Sequence, residues 1–419
     1  MKSTEHNAFL NEAMETLNRI DKENRHLTQL GWFLQTALRR FDRNYLDRRK
    51  PQVIVLGDDI PAELLYAVCD DPLYVLGGSL GTAHWADELT PRDTDPLSRS
   101  ALGWLVNPAF DLTENALIVT AVSSDSRRKL TSVLQSGGRK VAALDIPPNQ
   151  SPNAVHYYTE QLTELAGQIG KHTGKRFSGS NLKRAVKRVA NARSQRRRFL
   201  TAALSAGSII SDEAVLLAEQ CMLFADDLEE WCAHIRALGA ELEQLGRRYA
   251  FPQKDRPKVM ILGSPIVFPN FKVPQLISSA GMDITAVADS LSLGASVVTP
   301  KAGAFASADA LLQQIAQTHL KTISSGARVS NDGWYSYFKY LVKRLHPDGI
   351  VCHILKGQIE YDFELPRIER AAEKLDIPVF RLETDYQYQD MEQLRIRMEA
   401  FGEMLTQRKI VKNKRKRTA

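Results

Sequence analysis

The densest potential chemistry in this 419-residue chain is a cationic stretch from Lys171 to Arg198, with eleven basic side chains and no Asp or Glu. Within it, Lys183 and Lys187, and Arg184 and Arg188, stand four residues apart, so a helix would carry two cationic rows on one side. Like charges at that spacing repel mildly. An anion would offset the repulsion: a phosphate-rich ligand such as coenzyme A, or an acidic partner surface. A solvated helix face explains the same pattern equally well.

The other reactive residue types are thinly spread. The nine histidines show no metal-ligand spacing, and the four cysteines fit neither a zinc pattern nor a disulfide framework. His353, on the apolar run DGIVCHIL, is read either as a residue reaching a site at a strand end or as a buried, hydrogen-bonded core histidine. Cys352 points to the opposite sheet face, because side chains alternate along a strand, and reads as a buried thiol. Cys221 and Cys232 lie in AEQCMLFADDLEEWCAHI, three helical turns apart, and are assigned to one core stripe. Cys69 is assigned to packing.

The elements that must position any site alternate in type. QVIVLGDD (52–59), LYVLGG (73–78), ALIVTAVSSD (116–125) and KVAALDIP (140–147) are short apolar runs ending in polar or Gly-containing turns. That is the signature of buried parallel strands, and Ser126–Gly137 is long enough for a crossover helix. Residues 1–50 form an N-terminal helical segment, 51–150 a first α/β domain, and 151–255 a helical segment of three or four helices. KVMILGSP (258–265), DITAVAD (283–289), DGIVCHILKG (348–357) and IPVFRLETDY (377–386) build a second α/β domain over 256–405, closed by a helix from Gln389 to Leu405. The fold expected is α/β: two Rossmann-like parallel-sheet domains with a helical segment between or alongside them. Ligands in such sheets bind beyond the carboxyl ends of the strands. No Gly-x-Gly-x-x-Gly or Walker A motif is present there, which argues against a dinucleotide or P-loop enzyme.

The formal charge of +6 is concentrated in a tail, 406–419, whose RKIVKNKRKRTA run holds seven basic residues. Without them 48 basic residues face 49 acidic ones, so the body is nearly neutral. With no aromatic–basic interleaving either, nucleic-acid binding is not expected. The tail reads as a frayed, solvated terminus or a docking arm for an acidic partner. No run of 18 apolar residues exists, and the N-terminus lacks an apolar signal region. The chain reads as a reduced, cytoplasmic, soluble protein.

The C-terminal stretch YDFELPRIERAAEKLDIPVFRLETDYQYQDMEQLRIRMEAFGEML resembles the D-component family of 2-hydroxyacyl-CoA dehydratase and benzoyl-CoA reductase subunits. RPKVMILGSP with ISSAGMDITAVAD, LKRAVKRVANARSQRRRFL, TPRDTDPLSRSALG and ALIVTAVSSDSRRKL extend the likeness over residues 50–405. The resemblance implies two similar subunits with Rossmann-like domains, each usually holding a [4Fe-4S] cluster on three cysteines. A separate ATP-hydrolysing activator supplies an electron, and a ketyl-type radical then permits loss of water or ring reduction on an acyl-CoA.

This sequence departs from that pattern at every cluster position. Asp95 stands where the family places its first cysteine, Ser124-Asp125 where it has Cys-Asp, and Gly357-Gln358 near the third. Hard oxygen donors serve iron–sulfur clusters poorly. The expectation is a cluster-free subunit beside a paralogous cluster-bearing partner, with Asp95, Ser124, Asp125, Gln358 and Tyr361 lining the vacated pocket. Lys183, Arg184, Lys187 and Arg188 are the candidates for the coenzyme A phosphates. The alternative is a non-catalytic structural or regulatory pseudo-subunit of such a complex.

Overall fold

A computed structural model describes residues 2–91, 93–107, 115–248, 255–289, 291, 307–322 and 328–418. Its frame is two four-stranded, all-parallel sheets. The first contains β1 (Val53–Leu56), β2 (Leu73–Val75), β3 (Leu117–Val122) and β4 (Val141–Asp145) in the order β2-β1-β3-β4. The second contains β5 (Lys258–Gly263), β6 (Asp283–Asp289), β7 (Gly349–Leu355) and β8 (Val379–Thr384) in the order β6-β5-β7-β8. The two orders are the same, so the chain is built from two α/β units of one topology. All eight strands fall within the apolar runs identified from the sequence.

Burial explains why those runs are so apolar. The central strands β1, β3 and β7 are buried at every position, as parallel strands covered on both faces must be. The edge strands β4 and β8 alternate between buried and exposed residues. Ile54 is in register with Leu73 on one side and Ile118 on the other. In the second sheet Ile350 sits between Met260 and Val379.

The segment between the sheets is helical: Pro152–Thr173, Gly179–Ala206, Asp212–Phe224 and Leu228–Arg248. The first three start at Ser151, Ser178 and Ser211, whose hydroxyls accept from the amides of Ala154, Asn181 and Ala214. Such caps satisfy amides that a helix start leaves bare. Cys221 and Cys232 lie on two successive helices rather than one. Ala225 is extended, and Asp227 caps the second helix through the Glu229 amide. Both thiols are nevertheless buried in one core with Phe33, Leu217 and Trp231.

The N-terminal helix Lys2–Glu23 ties the parts together. Thr16 donates to the Pro269 carbonyl, and Arg19 pairs with Glu213 at 2.9 Å. The last helix, Met391–Thr418, does not stop at Leu405 but continues through the basic run. Arg408 and Lys412 pair with Asp376, and Lys409 lies 2.6 Å from Asp255. The start of the basic segment is thus held against the second α/β unit by carboxylates that the sequence alone did not connect to it. Among the described residues, no helix is long and apolar enough to cross a membrane.

Candidate functional site at the facing strand ends

In each sheet the chain leaves β1 or β5 toward one edge and β3 or β7 toward the other. The crevice at that reversal is where an open α/β sheet accommodates ligands. β1 ends at Gly57, with φ +85°, and a Cβ there would stand 2.7 Å from the Arg127 guanidinium. The next residues are Asp58 and Asp59. Asp59 accepts a 2.5 Å hydrogen bond from Ser123, at the end of β3. Burial pushes the Asp58 carboxyl well above the ordinary carboxylate range; Asp59 and Asp289 push the same way, and Arg127 opposes them.

The second unit meets the first at Asp95. This residue caps the helix Pro96–Val106 by accepting from the Ser98 amide at 2.9 Å, and the same oxygen accepts from Gln358 Nε2 at 3.2 Å. Gly357, with φ +88°, permits that approach, because a Cβ would stand 2.9 Å from the Asp93 carbonyl and 3.3 Å from the Asp95 Cα. Ser124 caps the helix Asp125–Ser136 through the Arg127 amide. Asp125 and Asp95 both raise the pKa of Glu360, after the larger effect of that residue's own burial.

So Asp95 and Gln358 are in contact, and Asp125 is near enough to act on Glu360 as Asp95 does. Ser124 works on its own helix. Tyr361 lies elsewhere: its ring meets Trp334 edge-on at 6.0 Å inside the core of the second unit. Two residues that sequence reasoning did not select belong here. Arg127 Nη1, Gln358 Oε1 and Tyr386 Oη are all buried without a hydrogen-bond partner. Burial raises the Tyr386 pKa well above its ordinary value, Asp95 and Glu12 add to that, and Arg127 opposes it. The signals were present in the motifs SSDSRRKL and LETDY, but only the fold brings Tyr386 within electrostatic reach of both Asp95 and Arg127. Unmet polar groups with so little exposure are unusual in a purely structural contact.

A model of the family 2-hydroxyglutaryl-CoA dehydratase, D-component, matches residues 59–405. The chain belongs to that family. No curated protein matches it.

The junction offers poor donors for the [4Fe-4S] cluster that the sequence resemblance implies. The side chains at the three cluster positions are a carboxylate, a hydroxyl and an amide; the first two already cap helices, and the amide is bonded to the first. All four cysteines are buried, and Cys352 packs in the second core with Met260, Leu262 and Trp334. Burial raises its thiol pKa to about 12, so the thiolate that iron requires is disfavoured. Among the described residues, no group of three or more His, Cys, Asp and Glu side chains is placed to hold a metal. This donor set does not fit a [4Fe-4S] cube.

The remaining candidate residues separate by helix face. Lys187 and Arg184 are exposed on the helix Gly179–Ala206, and Arg184 is bonded to Asn181. Arg188 is engaged by Asp227 at 3.0 Å and by Glu229, and lies over the Tyr66 ring. At 100° per residue, Arg193 and Arg196 fall on the other side of the helix. They are buried there and paired with Glu63 and Glu219. His353 resolves as a core histidine: its Nδ1 lies 3.1 Å from the Ser264 carbonyl, and burial lowers its pKa to about 4.

One motif needs a separate note. Gly77-Gly78-Ser79-Leu80-Gly81 has the Gly-x-Ser-x-Gly spacing of a nucleophile elbow. Ser79 is 1% exposed, however, and donates to Glu12 at 2.6 Å, so it has a carboxylate partner and no open approach for a substrate.

Proposed function

We propose that this chain is a subunit of a heteromeric 2-hydroxyacyl-CoA dehydratase-like enzyme, acts on an acyl-CoA, and carries no iron–sulfur cluster of its own. The observation that carries the reading is the junction where Asp95 of one unit meets Gln358 of the other. It lies beyond the strand ends, where parallel α/β sheets take ligands, while the three positions at which the resemblance implies cluster cysteines are filled by oxygen and amide groups already engaged in helix caps and a cross-unit bond. The electron-carrying cluster would then reside in a paralogous partner, served by an ATP-hydrolysing activator. This chain would supply polar contacts to the acyl group from Arg127, Tyr386 and Gln358, and cations to the coenzyme A phosphates from Lys183, Arg184 and Lys187.

Anaerobic purification tests the proposal directly. The polypeptide alone is expected to contain no stoichiometric iron or sulfide, and to bind acyl-CoA when assembled with a cluster-bearing partner. Iron near four atoms per chain in the lone polypeptide would overturn the cluster-free assignment.

The cross-unit bond also favours a second reading, a non-catalytic structural or regulatory pseudo-subunit, because Asp95 and Gln358 clamp the two units together at the crevice. Calorimetry separates the two. No acyl-CoA affinity, alone or with a partner, selects the pseudo-subunit.

A further inference from the structure

A cavity separate from the Asp95–Gln358 contact lies where the end of β1, the end of β6, the helical segment and the helix Ala308–Thr322 converge. It encloses about 1100 Å³, counting its open mouth. Most of the wall is apolar, including Ile60, Val189, Leu216, Met222, Leu228 and Ile315. Apolar hollows of this size are where proteins take small molecules. The cavity also adjoins the crevice at the strand ends. Asp58 lines it, and the preceding residue, Gly57, lies against the Arg127 guanidinium.

The polar groups on the wall turn to partners within the chain. Arg193 pairs with Glu63, and Arg196 with Glu219 at 2.6 Å. Gln220 donates to the Ile266 carbonyl at 2.6 Å and accepts from the Phe268 amide at 2.9 Å. Asp289 accepts from the Ile266 amide at 3.1 Å. His319 shares a 2.8 Å hydrogen bond with the Tyr158 hydroxyl, and burial lowers its pKa to about 3, so the ring is neutral. Burial also pushes the Asp58 carboxyl well above its ordinary range, toward the uncharged acid. Both cations that line the cavity among the described residues are therefore already paired. A carboxylate entering it would give up its hydration and find no free counter-ion, whereas an apolar group gains from burial.

We infer that this cavity receives the acyl group of the CoA ester, and that this group is uncharged and apolar: an aliphatic chain or an aromatic ring. The thioester end stays on the Arg127 side, and the rest of the group lies along Leu216, Met222 and Leu228. The glutaryl group in the name of the matched family carries a second carboxylate, and this cavity selects against one. The inference rests on the acyl-CoA reading above and adds the class of acyl group to it.

The test titrates hexanoyl-CoA and glutaryl-CoA, whose acyl groups are of similar length, into the full-length chain by calorimetry, alone and assembled with a cluster-bearing partner. Hexanoyl-CoA is expected to bind about tenfold or more tighter. Met222→Trp fills the apolar wall and should remove that preference by weakening hexanoyl-CoA alone. Leu223→Trp, at a second half-buried lining position, should do the same, and circular dichroism verifies that both variants fold. Excess hexan-1-ol should weaken hexanoyl-CoA several-fold and leave glutaryl-CoA unchanged, which probes the cavity without any substitution. Equal affinities for the two esters, a preference that survives both tryptophans, or no competition from hexan-1-ol would overturn the apolar assignment and leave the acyl-CoA reading intact. Binding of neither ester would overturn the acyl-CoA reading itself, and the acyl assignment with it.

Discussion

The loops that follow β1 and β5 occupy equivalent places in two sheets of the same strand order, and they have opposite characters. After β5, Gly263 is followed by Ser264, whose amide donates to the His353 carbonyl at 2.8 Å and whose hydroxyl accepts from the Leu355 amide at 2.8 Å. The Ser264 carbonyl in turn meets His353 Nδ1. Every polar group named there is used, and the loop is a buried brace. After β1, Gly57 is followed by two adjacent carboxylates whose pKa values burial raises, that of Asp58 further through repulsion by Asp59 and Asp289, beside an arginine with one unpartnered nitrogen. One scaffold position has been completed for stability. The other has been left electrostatically unfinished, as groups that meet a ligand commonly are.

The largest expected effect that separates these loops is steric. Gly263→Ala would put a Cβ 2.0 Å from the His353 carbonyl oxygen at φ +111°, against backbone that cannot swing aside. It should cost about 3 kcal/mol or more, measured by denaturant unfolding. Gly57→Ala meets only the movable end of Arg127, at 2.7 Å and φ +85°. It should cost about 1–2 kcal/mol. Equal losses would erase the contrast.

pH dependence should come next, with opposite signs. His353 has a folded pKa pushed down to about 4 by burial. Its contribution is therefore complete above its ordinary pKa and lost as pH falls from about 6.5 toward 4, an effect of up to about 3 kcal/mol. His353→Gln should flatten that acid limb. Asp58 has a raised folded pKa, so the folded chain holds its proton more tightly than the unfolded one. Stability from this group is greatest below the ordinary carboxyl range and falls as pH rises, and Asp58→Asn should raise stability at neutral pH by about 1 kcal/mol. A loss there would show that Asp58 is as well satisfied as Ser264.

Smaller effects sharpen the picture. Ser264→Ala strands the buried Leu355 amide and should cost about 1–2 kcal/mol, whereas Ser124→Ala removes only a helix cap and should cost about 1 kcal/mol. Least of all, changing Lys183, Arg184 and Lys187 to Gln should leave stability within about 0.5 kcal/mol. If that surface holds coenzyme A phosphates, the same change lowers acyl-CoA affinity and its salt dependence.

Much of the fold was legible because the signal was local. Continuous apolar runs such as VIVL and GIVCHIL mark strands covered on both faces, and serines ahead of periodic segments mark helix starts. The break at Ala225–Asp227 was missed because the flanking residues keep helical periodicity, and the continuation of the last helix past Leu405 was missed because charge alone suggested fraying. At the candidate site the motifs that contain Arg127 and Tyr386 were visible, but not which side chains converge. Tyr361 was drawn into the pocket by its neighbours in sequence, whereas its helix turns it toward Trp334.

The sequence by itself determined the eight strands, the two repeated units and the missing thiols, because each is a property of residues within a few positions of one another. Tertiary structure alone decided that Asp95 meets Gln358 across 263 positions, that the buried arginines face a cavity while the exposed cations face solvent, and that the loop after β1 keeps unmet charges. Those outcomes depend on dielectric burial and on partners brought from distant segments, and chain-local spacing encodes neither.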